Sequence, residues 1–464
     1  MPDYKHPGIY VEETSLLPPA VAEVESAIPA FIGYTEKASE TTIDDLLNKP
    51  TRINSMAEYE RFFGRAHDAV ITARADDDGN GYSVDLTLPK LQLILHYCMR
   101  LYFANGGGSG YVVSVGNYTA TVSHKSLLKG IAAVGDEDEP TLLLMPEAVN
   151  IAKAGKFSKV VRAMLKQCGD LGDRFSIFDI RRGVKWLNAN KWSRNRDLFG
   201  NENLRYGAAY YPFMNTSLNY YVTSDTDDVV GENVKITYPT SDPAATEMSL
   251  SALKSSNPIL YKFVRSRLKK QYVVLPPSAA IAGAYVTTDH VRGVWKAPAN
   301  VALKKVKSPT VVIDSQMQEG MNIDPGGKSV NAIRSFVGKG NLVWGARTLA
   351  GNDNEWRYVS VRRFFNTIEE SVKKSTAWVV FEPNDVNTWT KVRSMIENYL
   401  LLKWRAGALG GTKPEDAFFV RCGLGMTMTS QDILEGRLIV EIGMAVVRPA
   451  EFIILRFFHK VPTR

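Results

Sequence analysis

Phe103-Ala104-Asn105-Gly106-Gly107-Gly108-Ser109-Gly110-Tyr111-Val112-Val113-Ser114-Val115 closes a helical pattern and opens a buried strand within a few residues. Upstream, Leu91 to Phe103 has helical apolar spacing and stops at Asn105 and the glycines. Downstream, Tyr111 to Val115 is a short apolar run of strand type. A phosphate-cradling loop needs its glycines between a strand and the N-terminus of a helix, whose amides then face the anion. Here the order is helix then strand, so the glycines read as a tight turn.

The same alternation continues on both sides. Ala30 to Tyr34 reads as the first core strand and Thr51 to Gly64 as a helix carrying Met56, Tyr59, Phe62 and Phe63. Leu142 to Met145 is a strand stopped by Pro146, Phe157 to Cys168 a helix, and Arg174 to Ile180 another strand. Strands and helices at this spacing predict an α/β chain with α+β layering. Thr223 to Asp242 is a polar connection around one strand, Val234 to Tyr238. Near the end, Val361, Phe364, Phe365, Ile368 and Val372 share a helical face, and Trp378 to Phe381 reads as a strand. Trp389, Val392, Met395, Ile396, Tyr399 and Leu402 make a second helical stripe, with Asn384 and Asp385 as caps and Gly407, Gly410 and Gly411 as the stop. Leu438 to Ile442 and Glu451 to Phe458 close the chain as β runs. The start differs: Pro2, Pro7, Gly8, Pro18 and Pro19 leave an extended arm with at most one strand, Ile9 to Val11.

With 464 residues and 45% hydrophobic composition, the chain is expected to hold two or three domains. No apolar run reaches bilayer length, and Met1 to Glu13 lacks the basic and apolar regions of a secretion signal, so the chain is expected to be made and folded in the cytosol. Cys98, Cys168 and Cys422 are odd in number and far apart, which predicts free buried thiols. The net charge of +7 invites a nucleic-acid reading. The densest basic run, Arg265 to Lys270, falls on an amphipathic helix with Leu260, Phe263, Val264 and Leu268; an acidic protein partner accounts for the charge as well.

Other fragments invite chemistry and lack its remaining parts. Gly327-Lys328-Ser329 resembles the end of a P-loop, but Asn322 stands where the first glycine belongs and no buried strand precedes it. Asp76, Asp78, Asn80 and Gly81 open like a calcium loop, yet Thr87 occupies the position of the bidentate glutamate, so an acidic hairpin tip is expected. His6, His67, His96, His124, His290 and His459 form no zinc-binding pair. Glu369 and Glu370 are neighbours on a helix and point apart. No catalytic, cofactor or metal residue is assigned, and a non-enzymatic protein is expected.

Several passages together resemble the contractile tail sheath family of phage tails, pyocin-like particles and extracellular injection systems. They are Tyr4-Lys5-His6-Pro7-Gly8-Ile9-Tyr10-Val11-Glu12-Glu13, Ile28-Pro29-Ala30-Phe31-Ile32-Gly33, and the Phe103 to Val113 helix, turn and strand. Further on come Pro276-Pro277-Ser278, Ala282-Gly283, Asp289 and Gly293-Val294-Trp295-Lys296-Ala297-Pro298-Ala299-Asn300. Val343 to Leu349, Trp356 to Arg363, Phe381-Glu382-Pro383-Asn384 and Arg448-Pro449-Ala450-Glu451-Phe452 complete the set in family order. Thr223 to Leu260 carries no signature of the family, and the compact length is more similar to injection-system and pyocin-type sheaths than to large phage ones.

The resemblance implies an arm over 1–26, an outer α/β part over 27–345, and an inner C-terminal domain over 346–464 ending in a donor strand. It implies that the arm (Ile9, Tyr10, Val11, Glu12) and the terminal strand (Phe452, Ile453, Ile454, Leu455, Phe457) enter neighbouring subunits by β-augmentation. The expected product is a helical homo-oligomer of stacked rings around an inner tube, with baseplate and cap proteins, as a phage tail or tail-like particle, and with neither nucleic acid nor membrane insertion. The helix Asn387 to Arg405 is the implied tube-facing element, through Lys391, Arg393, Lys403 and Arg405; a solvated face is the alternative reading. A non-contractile tail-associated protein, or a nucleotide- or nucleic-acid-binding protein, are the alternatives for the whole chain.

Overall fold

The computed structural model describes residues 20–77, 79, 81–222, 232–242 and 244–451, apart from the side chains of 189 and 190. The expected strands at Ile9 to Val11 and beyond Glu451 lie outside these residues. The chain divides into two compact units. The smaller holds the described residues up to 24 together with 367–447, and the larger holds 25–366 and 448–451. The division falls within the helix Val359–Ser375, some twenty residues after the sequence-based boundary at 345/346.

The larger unit is built on a nine-stranded sheet. Its middle is parallel: Gly110–Ser114, Pro29–Gly33, Leu142–Leu144, Phe175–Asp179, Gly207–Tyr211 and Val330–Phe336 lie side by side in that order. In chain order this is 2-1-3-4-5-6, a doubly wound topology that reverses direction beside the first strand. Antiparallel strands Thr51–Ile53 and Gly340–Trp344 flank the parallel set. Alternate residues of Pro29–Gly33 enter different cores, Phe31 on one face and Ala30 and Ile32 on the other, which is why these strands are apolar throughout.

Two further sheets belong to this unit. One, of four strands with Ile71–Asp77 paired to Tyr82–Thr87, carries the helices Leu250–Ser256 and Pro258–Leu268 on its own core. The acidic stretch near Asp76 is thus the end of a hairpin, with Asp76 accepting from the Ser241 amide. The other has three strands centred on Met214–Asn219. The smaller unit has a two-stranded sheet, Phe418–Arg421 with Glu441–Met444, and the helix Val386–Arg405.

Three expectations are corrected. Thr51–Ile53 is a strand rather than the start of a helix: pairing with Gly110–Ser114 overrides local propensity, and Ser55 then caps the helix Met56–Phe63. The next helix starts at Leu95 instead of Leu91, where the Glu147 carboxylate receives the first amides. Trp378 to Phe381 is no strand. A 3-10 turn covers Ala377–Val379, because the chain has only a few residues between one helix end at Ser375 and the Asp385 cap of the next. The Asp385 cap itself is as read, its side chain accepting from the Thr388 amide at 3.0 Å.

Two helices meet closely at Gly283. A Cβ there would fall 2.7 Å from the Tyr102 carbonyl oxygen and 2.8 Å from Asn105 Cβ, so Ser278–Arg292 packs on Leu95–Ala104 only through glycine. Gly283→Ala is expected to destabilise the chain by about 1–3 kcal/mol through overpacking, seen as a lower urea midpoint. Two buried carboxylates give a pH signature. Burial pushes Glu147 and Asp179 up to about 7, against the pull of the amides and hydroxyl that donate to them. The folded chain therefore holds these protons more tightly than the unfolded chain, and their stabilisation, complete at low pH, is lost as pH rises toward 7. Glu147→Gln removes one such slope. Its melting deficit should be largest near pH 4.5 and shrink toward pH 7.5, by at most about 1.4 kcal/mol per pH unit; a constant deficit contradicts the assignment.

Candidate functional site

The two-stranded sheet of the smaller unit is the first candidate for assembly. Its register runs from Phe418 opposite Met444 to Arg421 opposite Glu441, and among the described residues each strand is hydrogen-bonded to one other strand. Most of its side chains are half-buried or exposed, with Phe419 at 45%. Ala445 and Val447 continue the second strand by bonding to residues 408–410 and 417. An isolated strand pair is marginal in water, and its outer edges are templates for further strands.

In the same unit the root of the N-terminal segment is fixed. The Ala22 amide donates to Ser375 Oγ at 3.0 Å and the Val24 amide to Ser371 Oγ at 3.1 Å. Between them, Glu23 pairs with Lys403, which also approaches the Tyr399 ring.

In the larger unit, two arginines grip the flanks of the chain ends. Arg363 Nη1 donates to Asp289 Oδ1 at 3.0 Å, and its Nη2 to Asp289 Oδ2 and to the Ser26 carbonyl at 2.9 Å. Ser26 Oγ completes the set by donating to Asp289 Oδ2 at 2.6 Å. The pair is buried, with 2% and 5% of the two side chains exposed. Arg347 Nε donates to both Glu451 carboxylate oxygens, at 2.9 and 3.1 Å, and Nη2 adds a third bond; Tyr358 donates to the same carboxylate at 3.2 Å. Fork-on-carboxylate geometry fixes direction as well as distance.

The helix Val386–Arg405 presents Lys391 and Arg405 to solvent beside Leu402, which is 61% exposed. Arg393 lies 3.8 Å from Glu397, one turn on. Lys403 lies apart from these: its side chain is buried and held by Glu23, on a different face of the helix from Lys391. The named residues of the arm and the terminal strand lie outside the described residues.

The crevice that doubly wound folds use for ligands, at the carboxyl ends of the strands where the order reverses, is filled from within. Glu147, just after Leu142–Leu144, accepts from Tyr34 N at 2.7 Å, beyond the end of Pro29–Gly33, and from Ile94 N and Leu95 N at 2.7 and 3.0 Å. Asp179 does the same for the next helix, accepting from Ser278 N and Oγ at 2.8 and 2.6 Å. Helix amides that elsewhere face a bound anion here face the chain's own carboxylates. The Gly327-Lys328-Ser329 fragment lies before the strand Val330–Phe336, with the Lys328 carbonyl accepting from Arg196, so it does not open a helix.

Comparison with solved structures finds this plan again over nearly the whole chain. The contracted PVC sheath complex of an extracellular contractile injection system superposes at a TM-score of 0.66, with 30% identity over 99% of both chains. The chain belongs to the tail sheath protein family. The contracted helical sheath of the anti-feeding prophage gives 29% identity and a TM-score of 0.65 over 99% of this chain and all of that one. Residues 351–460 match the phage tail sheath C-terminal domain. The tail sheath proteins of Vibrio phage KVP40 and Enterobacteria phage T4 are each 25% identical, over 141 and 134 residues. Those stretches span only 21% and 19% of the two phage proteins.

Sequence reading missed the roles of Ser26, Glu147, Glu451, Arg347 and Arg363. All but Ser26 and Glu147 sit inside the family segments, so the segments were visible while the pairings were not. Asp289→Ala removes the carboxylate that both Arg363 Nη atoms and Ser26 Oγ donate to, and should lower stability by about 1.5–3 kcal/mol in urea unfolding. Lys391→Ala, on the exposed face, should change it by less than about 0.5 kcal/mol.

Proposed function

We propose that this chain is the repeating subunit of a contractile sheath, polymerising helically around an inner tube and driving that tube through a target envelope by changing its packing. The two-stranded sheet of the smaller unit carries this reading, because it is half of a structure that foreign strands would complete. The arm, through Ile9, Tyr10, Val11 and Glu12, and the terminal strand, through Phe452 to Leu455 and Phe457, supply those strands to neighbouring copies. At roughly 0.5–1.5 kcal/mol net per hydrogen bond, a strand of about five residues contributes a few kcal/mol before apolar burial is counted.

Each contact of this kind joins unlike surfaces, so the assembly is an open helix rather than a closed ring pair. Linked subunits rotate without separating. Contraction draws on two packings of the same subunit that differ by a few kcal/mol, the scale of bistable elements. The internal capping by Glu147 and Asp179 favours this reading over a nucleotide-driven one, since the anion sites of the fold are occupied in cis. An inner tube subunit, a baseplate and a terminating cap are the partners, and assembly takes place in the cytoplasm of the producing cell.

The tube is met by the exposed face of Val386–Arg405, where Lys391 and Arg405 face acidic tube residues; Arg393, two positions from Lys391, lies on another side of the helix beside Glu397. Reversing these charges together should abolish cylinders templated on the tube while the purified subunit melts unchanged; normal cylinders would remove this face from the contact. The sheath reading itself is tested by co-expressing the chain with its tube subunit. Negative-stain images should show hollow cylinders around a tube, and removal of residues 1–24 should leave unlinked subunits. Cylinders that form and contract without the arm would contradict it.

A further inference from the structure

The chain leaves the larger unit toward each lent end beside an arginine clamp, passing on the N-terminal side to the bonds of Ala22 and Val24 with Ser375 and Ser371, and the two clamps stand on one foundation. Ser26 is held by Arg363 and Asp289 three residues before the strand Pro29–Gly33 begins. Glu451 is held by Arg347 and Tyr358 one residue before Phe452. Tyr358 immediately precedes the helix Val359–Ser375, and Arg363 lies in its second turn.

The clamps are also footed on paired positions of adjacent strands. Arg363 stacks on the Tyr285 ring at 4.7 Å, and the Tyr285 hydroxyl meets that of Tyr210 at 2.7 Å, in the strand Gly207–Tyr211. The Arg347 amide donates to Asn331 Oδ1 at 2.8 Å, and Asn331 Nδ2 donates to the Arg347 carbonyl at 2.8 Å. Asn331 is the register partner of Tyr210 in the sheet.

We propose that Arg363–Asp289 and Arg347–Glu451 are paired positioning devices, which fix on the sheet the point and direction at which the chain leaves the larger unit toward each exchanged end. Resting on the sheath reading above, this assigns the transmission of movement between copies to two ion pairs and one sheet register. An unclamped root would have to be ordered each time a neighbour engaged it, at about 1–2 kcal/mol per residue; a clamped root presents its strand already aimed. A displacement entering through one end then reaches the other through Tyr210 and Asn331 and the first turns of a helix, without crossing a flexible loop.

The test uses full-length chain co-expressed with its tube subunit, as parent, Glu451→Gln, Asp289→Asn, and the exchanged pair Arg347→Glu with Glu451→Arg. Losing one charge-assisted bond should reduce ordered cylinders by about tenfold or more in each single variant. Hydrogen exchange should rise at residues 26–28 in Asp289→Asn and at 448–451 in Glu451→Gln. The melting midpoint of the unassembled subunit should fall by no more than about 5 °C in each single variant, leaving it folded at the assembly temperature. The exchanged pair should recover cylinders. Parent chain that forms no cylinders overturns the sheath reading and this proposal with it. Parent cylinders accompanied by equal assembly of the single variants overturn the clamp proposal alone, as does assembly that falls only in step with melting.

Discussion

A strand edge with unpaired amides and carbonyls must be satisfied by water or by another strand, and this constraint organises the molecule. The smaller unit carries a sheet of two strands, Phe418–Arg421 and Glu441–Met444, too narrow to be stable on its own side chains. The sequence of the chain is proline-punctuated at its start and rich in β-prone residues at its close. In the assembly proposed above those ends are given to other copies, and a strand given away joins unlike surfaces, which is the condition for an open helical polymer.

The larger unit supplies what such an exchange needs, a stiff body from which the ends depart. Its parallel sheet is apolar on both faces and its strand order matches folds that commonly bind nucleotides. Fold alone does not assign function. Here Glu147 and Asp179 occupy the helix amides that would otherwise attract an anion, and in doing so tie strand ends to the helices Leu95–Ala104 and Ser278–Arg292. The arginine clamps extend the same logic to the surface. Arg363 and Arg347 sit over paired residues of neighbouring strands, so the departure points share the rigidity of the sheet.

Much of this was legible in the sequence. The apolar runs at Ala30, Tyr111, Leu142 and Phe175 announced buried strands because both faces of a parallel sheet are covered, and the stripe from Trp389 to Leu402 announced its helix. Misreadings arose where a distant partner outweighed local preference. Thr51–Ile53 became a strand because Gly110–Ser114 offered an edge, and Leu91 to Ile94 stayed outside their helix because Glu147 caps it later. Lys403 read as one of several basic residues on a helix; only its meeting with Glu23, 380 positions away in the chain, removed it from the exposed face. Periodicity reports which face is apolar, but not which polar residue will find a partner across the fold.

Strand exchange between copies is most directly tested by a covalent bond. Val11→Cys combined with Arg421→Cys, or with Glu441→Cys, places one thiol on the arm and one on either strand of the two-stranded sheet; the native Cys98, Cys168 and Cys422 are buried. Disulfides form only when the two Cα atoms come within about 7 Å. Mild oxidation of assembled cylinders should give a ladder of linked subunits in one of the two double variants and in neither single variant. Chains that remain monomeric in both, or that link only within themselves, would contradict the account.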